Sequence, residues 1–404
     1  MVDYTTPTGS PARLADVGYT DSTWDAPWNL ARGQLTTAER MPSAVLDPGV
    51  AVSGWPRGPR LDLTELQVSD PLTERDVSLA DLLRDRLRNE GFLVVHDGRV
   101  VAESYVNGLR HDDIHVVHSC SKTLTTMMVG IAVGEGRLDL SAPVDDLVAE
   151  LAAIPAWQGV TLQHVLDMAT GLDTEEHYED ADSMYWRYAQ AAGYYGGDPD
   201  AAGVLGFAQT ELTRRVVEPG TVFNYASYLT NLVPAALEGV YGIPAVELYE
   251  ERIFRHLGAE RPAIVNLDRF SRPVVEGQVN LTLRDFARWA WLYANDGRGL
   301  DGSPLVPSSW VDEAFRSDPR RRDAFGRSEY ADLMPGAEYH NQAWLLDPRQ
   351  GLLAMLGIHG QFAFVDPHRR LMMVGLSAFP DQANALMTRL LLTAWDAVCR
   401  AVRG

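Results

Sequence analysis

The sequence predicts an α+β fold with a helical lobe inserted into it, and three observations carry that reading. Strand-like apolar runs stand at 91–108 and again at 340–379, far apart in the chain. Between them, apolar residues recur at helical spacing. The chain closes on ANALMTRLLLTAWDAVCRAV, an amphipathic helical pattern. Strands from two distant stretches enclosing a helical middle fit a sheet domain built from the chain's ends.

Taken in order, residues 1–70 are rich in Pro, Gly, Thr and Asp and read as an irregular arm packed on the body. GFLVVHDGRVVAESYVNG (91–108) is two apolar runs around Asp97-Gly98, a hairpin signal. LTTMMVGIAVGEG (124–136) is apolar at helical spacing and ends on glycine. Short helical patterns rich in Tyr and Trp continue to about residue 275, and LRDFARWAWLYANDG (283–297) is a further amphipathic helix. HNQAWLLD, LLAMLGIHGQFAFVD and RLMMVGLSAF read as three successive strands. The resulting division is an arm over 1–70, a sheet domain from 71–118 and 280–404, and a helical lobe over 119–279 that carries the first residues of the chemistry at its boundary.

With 404 residues, 46% of them hydrophobic and 22% charged, the chain can bury substantial cores. A formal net charge of −20 argues against a nucleic acid or an anionic membrane as partner, since a polyanion is repelled. The two cysteines, Cys120 and Cys399, give neither a disulfide framework nor metal-ligand spacing, so no metal and no cofactor are expected. MVDYTTPTGS lacks the basic and apolar regions of a secretory signal, and no run approaches the ~18 apolar residues of a spanning helix. The expectation is a cytoplasmic monomer or homodimer acting on a small molecule.

One stretch raises a chemical question. HVVHSCSKTLTT (115–126) holds Lys122, the only lysine among 35 basic residues. Where a fixed positive charge suffices, the chain uses arginine; a lysine is needed where a proton must come off, because guanidinium stays protonated. A serine hydroxyl is a poor nucleophile until a neighbour takes its proton, and residues i and i+3 share a helix face. Ser119 and Lys122 therefore pair as nucleophile and base, a buried lysine being able to fall below its usual value. Ser121 is the competing nucleophile, but as Lys122's immediate neighbour it points elsewhere.

The surroundings carry a resemblance. EGRLDLSAPVDDL (135–147), TLQHVLDMATGLD (161–173), EPGTVFNYASY (218–228) and GIHGQFAFVDP (357–367) occur in the order found in the serine β-lactamase and penicillin-recognising family. The chain resembles its class C-like members and, among them, the 6-aminohexanoate-dimer (nylon-oligomer) hydrolase branch. That resemblance implies an antiparallel sheet flanked by helices, with an inserted, mainly helical lobe. It implies Ser119 as nucleophile, Lys122 as general base and Tyr225 as the tyrosine that shuttles a proton to the leaving group. The backbone N–H groups of Ser119 and Ile358 would form the oxyanion hole. Ser227 supports the hydrogen-bond network, Tyr178 contacts the substrate amide, Trp344 lines the pocket, and His359 reads as a hydrogen-bonded strand histidine near it. Three pocket positions depart from the branch: Ala189 replaces an aspartate, Tyr194 a tryptophan and Glu276 an asparagine. The expected activity is hydrolysis of a small amide or ester through an acyl-enzyme. The alternatives are ATP-independent transfer of the acyl group to an amine acceptor, helped by the aromatic-rich segment 185–197 excluding water, and a penicillin-sensing or scaffold protein without turnover.

Overall fold

Asp97 and Gly98 both take positive φ, 51° and 70°, and so fold the strands Asn89–His96 and Arg99–Tyr105 into the expected hairpin. In the computed structural model, which describes residues 2–5, 19–196, 198 and 200–402, this hairpin is the edge of a larger sheet. Its first strand pairs antiparallel with Leu371–Ser377, placing Val94 opposite Met373. The sheet continues through Gln361–Asp366, Leu352–Gly357, Ala343–Asp347 and Glu338–His340, so among the described residues it holds seven strands, all antiparallel.

One difference from the sequence reading concerns LLAMLGIHGQFAFVD. It is two strands, folded back at Ile358–Gly360 with Gly357 opposite Gln361. Leu353, Ala354, Met355, Phe362, Ala363 and Phe364 are all buried, and so are the polar His359 and Gln361 at the break, so no exposed polar residue marks it. His359 at φ 61° and Gly360 at φ 83° make the turn. His359 is thus a turn residue rather than a strand residue.

Side-chain alternation sorts the sheet into two cores. Leu93, Val95, Ala363, Val365, Met372 and Val374 face the helix Leu283–Ala294, meeting Phe286, Trp289 and Ala290. Phe92, Val94, Phe364 and Met373 point the other way, onto Leu390, Leu391, Ala394, Trp395 and Val398 of the closing helix Ala385–Ala401. Side-chain caps start both helices: Thr282 accepts from the Asp285 N–H at 3.1 Å, and Asn384 from that of Met387 at 2.8 Å. None of the helices among the described residues is long and apolar enough to cross a membrane.

A second sheet joins distant parts of the chain in the order Asp3–Thr5, Ser43–Leu46, Ala263–Asn266, Val279–Leu281, His115–Val116. The arm is therefore not wholly irregular, since it supplies two of these strands. The pairing of His115 with Leu281 and of Val116 with Asn280 matters most. It sets the segment leading into Ser119 beside the segment leaving Glu276. The helical lobe has its own core, in which Trp157, Tyr188, Phe207, Tyr228 and Leu229 are buried. Of the aromatic-rich segment 185–197, whose residue 197 lies outside the described residues, 185–192 belong to the helix Met184–Ala192, stopped by Gly193 at φ 92°.

Candidate active site

The short strand His115–Val116 delivers the chain to a turn at His118, whose φ of 45° is unusual for a side-chain-bearing residue. Ser119 follows as the N-cap of the helix Cys120–Thr125. The strand Leu352–Gly357 runs close by. A methyl on Gly357 would stand 2.8 Å from the Val117 carbonyl oxygen and 3.2 Å from His118 Cβ. Only glycine permits that approach, which brings Ile358 and Ser119 to the wall of one cavity.

Lys122 is 1% exposed, and its Nζ donates to Ser119 Oγ at 2.8 Å and to the Glu276 carbonyl oxygen at 2.6 Å. The same ammonium lies 5.1 Å from the ring centroid of Tyr225. Tyr225 is stacked on Trp344, centroids 5.4 Å apart and planes at 24°. Asn224 beside it is anchored by Nδ2 donating to the Thr174 carbonyl oxygen at 2.5 Å. Ser121 is buried, and its Oγ accepts from the Val279 N–H at 3.1 Å, which turns it into the small sheet and away from the cavity.

The cavity in front of Ser119 has a volume of about 620 Å³ and is walled by Tyr178, Tyr225, Tyr330, Trp344, Ile358 and Met387, among others. Behind the nucleophile lies an inner chamber of about 20 Å³, lined by His118, Ser119, Glu176, Tyr194, Ser227 and Glu276, with further residues closing it. Ser119, Glu176, Tyr178 and Ile358 line both spaces, so the chamber is the inner end of the cavity.

Glu176 was not anticipated from sequence. It is 5% exposed and organises three groups: the Tyr178 hydroxyl and the Ser227 hydroxyl donate to its Oε1 at 2.5 and 2.7 Å, and the Ser227 N–H donates to Oε2 at 2.5 Å. Nothing in the sequence singles it out, because it stands in an acidic stretch, DTEEHYEDAD (173–182), whose other carboxylates include Asp173, Glu179 and Asp180. Glu276 is 2% exposed; Tyr194 donates to its Oε1, while Oε2 is buried without a hydrogen-bond partner. Burial lifts the Glu276 carboxyl to about 7, opposed by the charge of Lys122 and by the nearby Tyr188 hydroxyl, and helped by Glu176. Tyr188 exerts this pull without closing a normal hydrogen bond to Oε2; its own oxygen accepts from Asn231 Nδ2 at 2.6 Å.

Burial first, and then the nearby charges of Lys122 and Arg40, hold the His118 imidazole well below its usual value. Burial likewise depresses His359, whose Nδ1 meets the Phe379 carbonyl at 2.9 Å. Neither histidine is a base facing substrate: His359 lines neither space, and His118 backs the inner chamber. Burial and then the Glu176 charge push the Tyr178 phenol well above its usual value, leaving a neutral donor.

Tyr178, Tyr225 and Trp344 line the cavity, and Tyr194, Ser227 and Glu276 line the chamber. Ala189 is the exception. It is wholly buried with Tyr188 and Ala192 in the lobe core and lines neither space, because its side of the helix faces inward. The tyrosine that does reach Glu276 is carried by the arm: the Tyr194 carbonyl accepts from Trp24 Nε1 at 3.1 Å and from Arg40 Nη1 at 3.2 Å. Among the described residues, no group of His, Cys, Asp and Glu is placed to hold a metal ion.

Comparison with known proteins shows what the chain is similar to. A 6-aminohexanoate-dimer hydrolase from Paenarthrobacter ureafaciens is 30% identical over 380 residues, covering 93% of this chain and 92% of that one. A Bacillus anthracis structure provisionally given the same name superposes with a TM-score of 0.85 at 22% identity, covering 98% of this chain and 99% of that one. A D-stereospecific amidohydrolase from Streptomyces gives a TM-score of 0.56 at 17% identity, over 76% of this chain and 95% of that one. At such identities the two structures show a shared fold. The Beta-lactamase family profile matches residues 79–392, a span that includes Ser119, Lys122, Tyr225 and Ile358, and the chain belongs to that family.

Proposed function

We propose that this protein hydrolyses a small amide or ester through an acyl-enzyme on Ser119. The observation that carries the reading is the position of Lys122 Nζ, 2.8 Å from Ser119 Oγ and facing the Tyr225 ring. In its neutral form the Lys122 amine takes the Ser119 proton as Oγ attacks the substrate carbonyl carbon. The negative charge that develops on the carbonyl oxygen is met by the backbone N–H groups of Ser119 and Ile358, an arrangement worth about 3 kcal/mol per donor in such sites. The Tyr225 hydroxyl gives its proton to the departing nitrogen or oxygen and is restored from Lys122, so the proton taken from Ser119 leaves with the first product. Water then attacks the ester by the same route in reverse and frees Ser119.

Intact-mass spectrometry with a slow acyl donor tests this. Wild type gains the mass of one acyl group, and Ser119→Ala does not. An adduct that persists in Ser119→Ala, or turnover without one, would sink the assignment.

A second reading, transfer of the acyl group to an amine, draws support from the apolar front cavity, where Leu333, Met334, Leu356 and Met387 stand beside Trp344. A neighbour in fold is described as a hydrolase with promiscuous acyltransferase activity. Adding a primary amine during turnover and measuring amide product against free acid separates the two outcomes.

A further inference from the structure

The closing helix does more than cover the large sheet. Met387, Leu391, Trp395 and Cys399 follow one another at four-residue steps and so form a ridge along one face of Ala385–Ala401. That ridge lines a second hollow, of about 420 Å³, together with Leu352, Leu356 and Phe364 of the sheet. Phe364 and Trp395 pack together beneath it, ring centroids 5.6 Å apart.

The hollow adjoins the cavity in front of Ser119, since Leu333, Met334, Leu356, Met387 and Thr388 line both. From that junction each wall leads away from the nucleophile. On the helix, Leu391, Trp395 and Cys399 line the second space alone, and Met387 to Cys399 spans about 18 Å. On the sheet, Leu352 also lines it alone, about 13 Å from Leu356 along the strand Leu352–Gly357. The two junction methionines are flexible side chains that adapt to what lies between them. At the far end the polar groups satisfy one another: Gln350 donates to Asp347 at 2.7 Å and accepts from Arg369, which also pairs with Asp366.

The place of the junction within the cavity has a chemical meaning. The Met334 N–H donates to the Tyr330 carbonyl at 2.9 Å, and the Tyr330 ring packs on Tyr225 and Trp344, centroids 6.1 and 5.4 Å away. The junction is thus on the side of Tyr225, the group that hands a proton to the departing atom. None of its five residues lines the inner chamber behind Ser119.

We propose that the second hollow is a subsite for a straight alkyl chain on the leaving group, the alcohol or amine released when Ser119 is acylated. The proposal rests on the acyl-enzyme reading above and deepens it by naming a substrate class. An extended chain advances about 3.3–3.6 Å for every three bonds, so roughly ten to twelve carbons cover the distance from Leu356 to Leu352. Water in a slot with apolar walls finds few partners, and an alkyl chain that displaces it buries apolar surface on both sides. Each methylene so buried is worth up to about fourfold in binding.

The test measures specificity constants for the acetate esters of ethanol, butanol, octanol and decanol, each below its solubility limit. The mirror series is the ethyl esters of butyric, octanoic and decanoic acids. From butyl to decyl acetate kcat/KM should rise at least tenfold, through KM, while the mirror series should not rise. Leu392 lines the second hollow and not the cavity, and it is half-buried. Leu392→Glu should therefore abolish the rise and leave butyl acetate hydrolysis unchanged. An experiment on wild type alone guards against a variant that misfolds: 1-decanol should inhibit butyl acetate hydrolysis competitively, at least tenfold more strongly than 1-butanol. Flat constants along the acetate series, a rise that survives Leu392→Glu, or equal inhibition by the two alcohols overturns the subsite. A rise in the mirror series alone, or in both series alike, overturns its assignment to the leaving group. Failure of the acyl-enzyme reading is distinct, since Ser119→Ala would then still hydrolyse butyl acetate.

Discussion

Lys122 and Glu276 meet through a main-chain bond: Nζ donates to the Glu276 carbonyl oxygen at 2.6 Å, so the amine is steered by an acceptor that cannot titrate. This fixes the lysine against Ser119 whatever the protonation of the Glu276 side chain. Replacing Lys122 by arginine keeps the charge but removes the group that can surrender its proton. Turnover of an ester substrate should fall by about 10³-fold or more, within or beyond the range of lost acid–base catalysis. Steady-state kinetics check it, and an arginine enzyme retaining most of its rate would make the lysine an electrostatic partner only.

Tyr225→Phe keeps the ring stacked on Trp344 and removes the hydroxyl. The loss should depend on the leaving group. An anilide, whose nitrogen needs a proton to depart, should slow by about 10²–10⁴-fold, and a p-nitrophenyl ester far less. Equal losses on the two substrates would remove Tyr225 from the proton path.

Gly357→Ala places a methyl 2.8 Å from the Val117 carbonyl oxygen, where main chain must move. Strain of this kind typically costs about 1–3 kcal/mol. Because the clash lies beside His118 and Ile358, kcat should fall at least tenfold while the protein stays folded, as read by circular dichroism and an activity assay on the same sample. Unchanged kcat would show that the close approach is not needed for the oxyanion site.

The Glu276 carboxyl, lifted from 4.5 to about 7 by burial, makes stability depend on pH in a stated direction. A raised folded-state value favours the protonated form, so its contribution is fully present below 4.5 and is lost as the pH rises through about 7. The full loss amounts to about 3 kcal/mol. His118 and His359, both depressed by burial, act oppositely as the pH falls through their unfolded value of 6.5. The comparison that isolates Glu276 is therefore wild type against Glu276→Gln, by urea denaturation at pH 5 and pH 8. The gap between the two proteins should change with pH; a constant gap refutes the assignment.

Ala189→Asp should not create a substrate contact. The residue is wholly buried among Tyr188, Ala192 and Phe207, so the new carboxylate would lie unpaired in apolar surroundings. A loss of about 3 kcal/mol or more in stability is expected, with no gain on amine-bearing substrates. Thermal melts and a substrate panel check both parts.

The hairpin at 91–108, the helix Leu283–Ala294 and the closing helix were legible because their periodicity and end signals agree with their burial. Ser119 and Lys122 were legible because their partnership is local, three residues apart on one helical turn. The fold at Ile358–Gly360 was hidden because its glycines and the polar His359 and Gln361 are buried between two long apolar stretches, where they read as part of one strand. Glu176 escaped for a different reason: Tyr178 is a close neighbour in sequence, but Ser227, which ties the carboxylate to the site, stands 51 positions away and meets it only in three dimensions. The pocket position assigned to Ala189 failed because which side of the helix Met184–Ala192 faces the lobe core is settled by packing against Phe207 and Tyr228, not by spacing.

The small sheet has a kinetic meaning. Its strand His115–Val116 finds its partner only in Val279–Leu281, after the whole helical lobe has been synthesised and closed between them. Contacts between segments so distant in sequence form late and slowly, because a long loop must first be ordered. The nucleophile and Glu276 are tied to the two sides of that single pairing. A chain folded everywhere else is therefore still silent, and the recovery of hydrolysis during refolding becomes a clock for the last long-range step, lagging the far-ultraviolet signal of the helices.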